Sequence, residues 1–492
     1  MKYFKIFLVL FVIFVFIYLR LTPIINKTVP YTYDQGRDFL KAEEIIRDKN
    51  LTFIGPTTGM TGVNHGAWWY YFLLIPHIVF NGWPQGFYLS LFLLNLVANS
   101  LFFLFLNTNF GFIPAIFYLL STSVSPNFIR NAFFASNDML TPIFVLLFIY
   151  SLYKLFERKD IKYLLLTGLA LGFILETEVA FGIFLIPASI ITLIIFKQLN
   201  NIKKFLFFLV GLSLPMLPRL LFEIKNNFLQ TKSLIYNLTL KKEAHPLLFR
   251  AVFDERLKIF IQYWKDLFYD NNIIISLTVF SLILYFYLFH RKSLTNLSKK
   301  TLLYFIFTII SLLFIFSLFY QGNFFYGYYF QGLQYFYLMI LVLTIYGIAK
   351  SKKTIFFSHL LILVFLLINI FAVIKDIGNQ KNIPLQGLRA DDQIVNYFIE
   401  NTGNQYYCLR IYTPPVIPYT YNYLFSYYAR MQKVKYPSGD YKNNKCYYLI
   451  DKDPYKLRVN KWENENKPTD ATVDVIKQFE NGSILKLVIL KK

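Results

Sequence analysis

The sequence predicts an α-helical protein that crosses a membrane many times and ends in a small α/β domain. Three observations carry this. Of 492 residues, 56% are apolar and only 16% are charged, where soluble domains carry about 25% charged residues. Apolar runs of roughly 16–23 residues recur along the chain, and about 20 residues cross a bilayer as helix. From about residue 376 the runs stop, and short alternating segments such as YYCLRIY, KCYYLID and SILKLVIL take over. Their period of two is that of half-buried strands.

The first run, within residues 1–20, follows MKYFK and lacks a small-residue cleavage site. It reads as an uncleaved span with its N-terminus inside. Ten further spans are expected at 86–106, 110–124, 139–156, 163–176, 179–196, 204–222, 273–289, 301–320, 327–349 and 354–374, about eleven in all. Four connecting loops, 154–162, 197–204, 291–300 and 350–353, are strongly basic, and the positive-inside rule puts them in the cytoplasm. Alternation then places 23–85, 125–138, 223–272, 321–326 and everything after about 375 outside. In this map the stretch 67–80 does not cross. Its tryptophans, tyrosines and Pro76 suit a juxtamembrane helix in the outer interface. The opposite orientation would strand Lys2 and Lys5 on the wrong side. The chain thus divides into a membrane domain, 1–375, with a first outer loop at 23–85, and an extracytoplasmic α/β domain, 376–492. A helix is expected there at 390–401, and Cys408 and Cys446 are free to pair in that compartment.

The net charge of +22 does not point to nucleic acid, because most basic residues sit in short loops between apolar runs. Anionic head groups and phosphate-bearing lipid substrates fit it better. No CxxC, HExxH or GxxxxGK[ST] pattern is present, which argues against a cysteine zinc site, a zinc protease helix and a nucleotide-driven pump.

Polar complexity concentrates in residues 31–71, YTYDQGRDFLKAEEIIRDKNLTFIGPTTGMTGVNHGAWWYY. Asp34 and Asp38 are four apart and share a helix face, with Arg37 beside them. Phe39, Ala42 and Ile46 form an apolar stripe, so an amphipathic helix on the membrane surface is expected. Asp34 either takes a proton from an acceptor or caps this helix. His65 ends a glycine-rich loop and reads as a turn residue or as part of a pocket for an anionic group. Asp138, in Ser136-Asn137-Asp138, is a helix cap or a second acid. Arg130 nearby is suited to a forked grip on phosphate. Glu176 and Glu178 lie between two spans, where acids are functional by default or sit in a solvated turn. Pro215 and Pro218 bend or break their span; Arg219 pairs with Glu223 at i+4 or binds phosphate. The tyrosine-rich loop 321–330 is an aromatic belt or a platform for sugar.

In order and spacing these motifs resemble the GT-C membrane glycosyltransferases, in the branch of the protein O-mannosyltransferases and the lipid A aminoarabinose transferase. Asp34-Gln35-Gly36-Arg37 stands where that family has Asp, Glu and then Arg; Gln35 is a departure for which Asp38 compensates. Residues 54–71 resemble the family's juxtamembrane segment, with Gly66-Ala67 in place of Pro-Pro. Asp138 matches its second-loop acid. LETEVAFGIFLIP has Thr177 where the family often has Lys, so that basic ligand is missing or supplied elsewhere. LPMLPRLLFEIKNNF is similar to bacterial members.

The resemblance covers about 1–375. It implies an inverting transfer of sugar from a polyprenyl-phosphate donor to a protein, lipid or polysaccharide on the outer face. Asp34 would be the base, and Asp38 and Asp138 would orient donor or acceptor. Arg37, His65, Arg130 and Arg219 are the phosphate candidates, with Glu178 and Glu223 completing the binding set. No cofactor and no essential metal are expected; the other partners are membrane lipids, not nucleic acid. Two other classes compete. A transporter or flippase needs polar residues deep within several spans, which here are mostly clean Leu, Ile and Phe. A non-catalytic envelope assembly protein would tolerate loss of Asp34.

Overall fold

A computed structural model describes residues 2–240, 248–268, 293–319, 329–350, 355–380, 387–414 and 417–490, together with 279–281, 283, 284 and 287. Helix α1 (Lys2–Ile25) leads into the polar segment 26–83. There α2 (Tyr33–Asp48), strands β1 (Ile54–Thr57) and β2 (Asn64–Gly66), and α3 (Trp68–Val79) follow in turn. The helical body continues with α4 (Pro84–Phe110), α5 (Phe112–Val124), α6 (Pro126–Asn131), α7 (Thr141–Arg158), α8 (Lys162–Thr177) and α9 (Val179–Ile195). After these come α10 (Ile202–Ser213), α11 (Leu217–Lys225), α12 (Leu229–Ile235), α13 (Phe249–Lys265), α14 (Asn296–Phe319), α15 (Leu333–Ala349) and α16 (Ile355–Gln380).

Five of the described helices are long and apolar enough to cross a membrane: α1, α4, α7 with its leading turn, α14 and α16. The expected single span at 204–222 is instead two helices, α10 and α11, bent by 79°. Pro215 and Pro218 cause the break, since neither donates a backbone N–H. The carbonyl of Pro215 accepts from the Trp68 indole at 2.6 Å, which satisfies one group the break exposes. Helices α5, α9 and α15 are apolar but shorter. The span expected at 273–289 lies almost wholly outside the described residues, as does the tyrosine-rich loop at 321–328. Helix α3 has 12 residues, about 18 Å of helix, and so falls short of the roughly 30 Å a crossing needs.

Packing within the body follows the rule for apolar surroundings, where small residues let backbones approach. A Cβ on Gly168 of α8 would lie 2.2 Å from the Phe208 carbonyl of α10, and one on Gly211 of α10 would lie 2.0 Å from the Leu165 carbonyl. Arg20, buried near the end of α1, donates to the carbonyls of Thr122 (2.5 Å) and Ser123 (3.2 Å) at the end of α5, and of Phe128 (3.2 Å) in α6. It thereby satisfies orphan carbonyls and fixes where the chain leaves α1 for the segment that carries α2.

The C-terminal part comprises α17 (Leu388–Thr402), β3 (Leu409–Tyr412), α18 (Tyr419–Arg430), β4 (Lys445–Ile450), α19 (Lys456–Asn466), β5 (Ala471–Gln478) and β6 (Ile484–Leu490). The sheet order is β3-β4-β6-β5, parallel between β3 and β4 and antiparallel elsewhere. A disulfide joins Cys408, beside β3, to Cys446 in β4 across 38 residues. A loop of that length restricts the unfolded chain by about 4 kcal/mol. Reduction, or Cys408→Ser with Cys446→Ser, is therefore expected to lower the melting temperature of the protein, read by intrinsic fluorescence with and without dithiothreitol.

This unit does not have a core of its own alone. Phe398, Tyr421, Leu424 and Phe425 are buried in one cluster with Phe39, Trp69, Leu73 and Phe87 of α2, α3 and α4. The expectation that α2 lies on the membrane surface with its apolar stripe toward lipid is thereby corrected. Its buried face, with Phe39, Ala42 and Ile45 rather than Ile46, is covered by protein. Gly36 permits the closest approach: a Cβ there would stand 2.5 Å from the Thr420 backbone nitrogen of α18. Around it the ring of Tyr33 meets Tyr419 edge-on at 4.8 Å, and Glu43 takes an ion pair from Arg430 (2.5 Å) and a hydrogen bond from Ser426 (2.6 Å). Lys27 pairs with Asp392.

Candidate active site

Helix α2 starts after Thr32, an extended residue with φ −122°. The Gln35 carbonyl oxygen reaches back to accept from the Thr32 N–H (2.9 Å) and hydroxyl (2.7 Å), the return half of a capping box. Gln35, the departure from the family pattern, is thus a helix-start residue. Asp34 is the second residue of the helix, within its first turn, and the N-cap position belongs to Thr32, so the capping reading of Asp34 falls.

Arg37 lies between the two aspartates, with Nη1 2.9 Å from Asp34 and Nε 2.8 Å from Asp38. The aspartates differ in setting: the Asp34 side chain is 61% exposed and that of Asp38 only 2%. Asp38 also accepts from the Trp69 indole (2.8 Å) and the Tyr70 hydroxyl (3.4 Å) of α3. Burial pushes the Asp38 carboxyl above the usual carboxylate range, against the opposing pull of Arg37 and Trp69. Burial alone would lower Arg37, but Asp38 and Asp34 hold its guanidinium above its ordinary value. Asp38 is therefore the buried anchor that joins α2 to α3, and Asp34 is the carboxylate presented to solvent.

The hairpin of β1 and β2 pairs Ile54 with Gly66 and Thr57 with Asn64, and carries His65 inward. The His65 Nδ1 faces the Val179 N–H at 3.5 Å, at the start of α9. Burial, with Arg219 and Arg37 nearby, pushes its pKa down to about 3. Burial thus favours the neutral imidazole at this position. Because its pKa is depressed on folding, His65 contributes stability above the unfolded value near 6.5, and this is lost as pH falls toward 3. A folded value one pH unit below the unfolded one corresponds to about 1.4 kcal/mol. The melting temperature of wild type is expected to fall between about pH 6.5 and 4 more steeply than that of His65→Gln, measured in one buffer series.

Arg219 does not pair with Glu223 as its i+4 spacing suggested. Its Nε donates to Glu176 of α8 at 2.6 Å, and its Nη1 to the Asn64 carbonyl (2.8 Å) and the Gln230 side chain (3.2 Å). The turn at Pro215–Pro218 aims the side chain back at α8 instead of along α11. Glu223 accepts instead from the backbone N–H groups of Gln230 (3.0 Å) and Thr231 (2.9 Å), which caps the start of α12. Gly66 is obligatory beside this pair, because a Cβ there would fall 1.9 Å from Glu176 Oε2. This is the position where Gly66-Ala67 departs from the family's Pro-Pro.

Asp138 lies in the turn Asn137–Leu140 before α7 and accepts from the Ser136 hydroxyl. Glu178 caps α9, accepting from the Ala180 N–H at 3.1 Å. Asp138 is near enough to Asp34 and to Glu178 for their charges to interact, and Tyr263 of α13 is near enough to Asp138 and Glu178 to feel theirs. Arg130 falls in α6; its side chain lies outside what is described. The structure therefore gathers Asp34, Arg37, Asp38, His65, Asp138, Glu176, Glu178 and Arg219, with Glu223 one link away through Gln230. Sequence reasoning missed Trp69, Tyr70, Asn64 and Gln230, which hold the charged residues in place. The WWYY run was visible, but an interfacial belt accounts for such a run equally well. Among the described residues no three His, Cys, Asp or Glu side chains converge as a metal site requires.

Residues 64–221, about a third of the chain, match the family model described as dolichyl-phosphate-mannose-protein mannosyltransferase. The match includes His65, Asp138, Glu176, Glu178 and Arg219 but stops short of α2 and Glu223. Among solved structures, ArnT from Cupriavidus metallidurans in the apo state is similar at TM-score 0.59, with 11% identity over 99% of this chain and 98% of that one. The same protein bound to undecaprenyl phosphate is similar at TM-score 0.56, again with 11% identity, over 99% and 97%. No curated protein matches by sequence. Residues 64–221 thus carry the pattern of a mannosyltransferase family model, and the chain as a whole shares the fold of ArnT.

Proposed function

We propose that this protein transfers a sugar from a polyprenyl-phosphate carrier to an acceptor on the outer face of a membrane, inverting the anomeric centre. One observation carries the assignment of the base. Of the six candidate acids, Asp38, Asp138, Glu176, Glu178 and Glu223 are buried, at 6% exposure or less, while the Asp34 side chain is 61% exposed. Asp34 takes the proton from the acceptor nucleophile as it attacks the anomeric carbon. The bond from that carbon to the phosphate oxygen breaks on the opposite face, and its electron pair leaves with polyprenyl phosphate. Arg37, beside Asp34, and Arg130 meet the charge on the leaving phosphate. Asp138 and Glu178 orient the sugar through its hydroxyls. Arg219 holds Glu176, Asn64 and Gln230 through Nε and Nη1, and its buried Nη2, which has no partner among the described residues, keeps it a phosphate candidate beside Arg37. No metal is assigned a role; the reaction is expected to continue unchanged in EDTA.

Support for the donor class comes from the structural relative crystallised with undecaprenyl phosphate and from the dolichyl-phosphate-mannose family that residues 64–221 match. The test uses purified protein in liposomes and one labelled sugar series carried on polyprenyl phosphate, polyprenyl diphosphate or nucleoside diphosphate. The expected result is release of free polyprenyl phosphate from the first carrier only. Consumption of only the diphosphate or nucleotide donors would overturn the reading. So would passage of intact polyprenyl-phosphate sugar across the liposome without release, which is the flippase outcome.

A further inference from the structure

A groove of about 900 Å³ lies between α1, α5 and α16, lined by positions 4–19 of α1, 112–124 of α5 and 355–374 of α16, and none of the candidate catalytic residues lines it. Its walls are aliphatic and aromatic nearly throughout. The exceptions gather at one end, where Lys5, Lys350 and His359 line the mouth; no Asp or Glu lines the groove.

The position of that mouth follows from helix geometry. From Lys5 to Ile25, α1 rises by about 30 Å, the thickness of a bilayer's hydrocarbon core. Since the site loop begins directly after α1, Lys5 stands one bilayer thickness away from it, at the head groups of the opposite leaflet. Lys350 follows the end of α15, and His359 is in the second turn of α16.

Among the described residues no acid neutralises these basic groups. The Lys5 ammonium lies over the Phe112 ring at 5.1 Å and that of Lys350 over Tyr346 at 4.8 Å. Neither lysine has a carboxylate partner among the described residues. His359 uses Nδ1 toward the Ile355 carbonyl at 2.9 Å, which leaves Nε2 for a ligand. An apolar wall with an uncompensated positive mouth fits an amphiphile with an anionic head. A soluble anion has no use for the wall. A zwitterionic lipid carries its own cation to the mouth and gains less.

We propose that this groove is a binding site for an anionic phospholipid of the leaflet opposite the catalytic residues. The phosphate rests on Lys5, Lys350 and His359, and an acyl chain runs along α1, α5 and α16. The lipid ties α1, which carries the catalytic helix at its far end, to α16, which carries the C-terminal unit that packs on that helix.

The test is native mass spectrometry of the full chain released from nanodiscs of phosphatidylcholine containing one third phosphatidylglycerol. Wild type is expected to retain one phosphatidylglycerol per chain in preference to phosphatidylcholine. The Lys5→Gln/Lys350→Gln double variant is expected to retain at least fivefold less, with an unchanged melting temperature. Ile362→Trp, which fills the wall and leaves the mouth intact, is expected to reduce retention similarly; should that variant misfold, the charge variant decides alone. Equal retention of the two lipids by wild type, or equal retention of phosphatidylglycerol by wild type and the charge variant, overturns the proposal. So does displacement of the bound phosphatidylglycerol by added polyprenyl phosphate whose own retention depends on Lys5 and Lys350, because the groove would then hold the donor's tail.

Discussion

Asp34→Asn is expected to lower sugar transfer by about 10²–10⁴-fold, the usual contribution of a positioned general base, while the protein folds and binds donor as before. The asparagine side chain keeps the size of the carboxylate and cannot take a proton. Asp34 is largely exposed, and its pair with Arg37 is a helix-surface contact. Substitutions at such positions shift stability by only about 0.5 kcal/mol. The helix start does not depend on it either, since Gln35 and Thr32 supply the cap. Three measurements on purified protein in liposomes separate the outcomes: turnover of the polyprenyl-phosphate donor, donor binding, and melting temperature. A loss of turnover with binding and melting intact supports Asp34 as base. Unchanged turnover removes it from that role and passes the role to Asp138, whose carboxylate is close enough to Asp34 to feel its charge.

The second large effect is one of stability. Arg37→Ala leaves the Asp38 carboxylate buried with only the Trp69 indole and the Tyr70 hydroxyl for partners. Removing one member of a buried ion pair costs about 3–5 kcal/mol, because the remaining charge is left uncompensated. A marked fall in melting temperature is therefore expected. Adding Asp38→Asn should recover much of the loss: the amide oxygen can still accept from Trp69, and no buried charge remains. The double-mutant cycle is the deciding measurement. If Arg37→Ala and Asp38→Asn prove additive, the two side chains do not depend on each other and the anchoring role of Asp38 is wrong. Transfer activity should fall in both variants that lack Arg37, including the one whose stability returns, if Arg37 meets the leaving phosphate as proposed. That split distinguishes its chemical part from its structural one.

Both substitutions act on a helix whose surroundings the sequence could not disclose. Positions 34, 37 and 38 were legible as a charged helix face because a period of about 3.6 is local and needs no partner. The apolar stripe behind them was equally legible, but its partner was not. A stripe of that kind fits lipid as well as protein, and only the fold shows Gly36 pressed against the backbone at Thr420 and Phe39 stacked on Phe87 at 3.9 Å. Gly36 and Thr420 lie at opposite ends of the chain, and nothing local to either marks the contact.

The sequence by itself determined the membrane class, most of the apolar helices, the strands at 409–412, 445–450 and 484–490, and the likeness to GT-C enzymes. These are properties of residue type and short-range period. Tertiary structure alone decided which charges meet. The i+4 spacing of Arg219 and Glu223 suggested a pair, but two prolines turn the chain by 79° and send the arginine to Glu176, 43 positions away. His65 had the chemistry of a phosphate ligand, and burial between two arginines took its charge away. Of two aspartates on one helix face, α3 buries Asp38 and leaves Asp34 in solvent. The charge and reach of such residues depend on the dielectric and the neighbours around them, and those are set by chain segments distant in sequence.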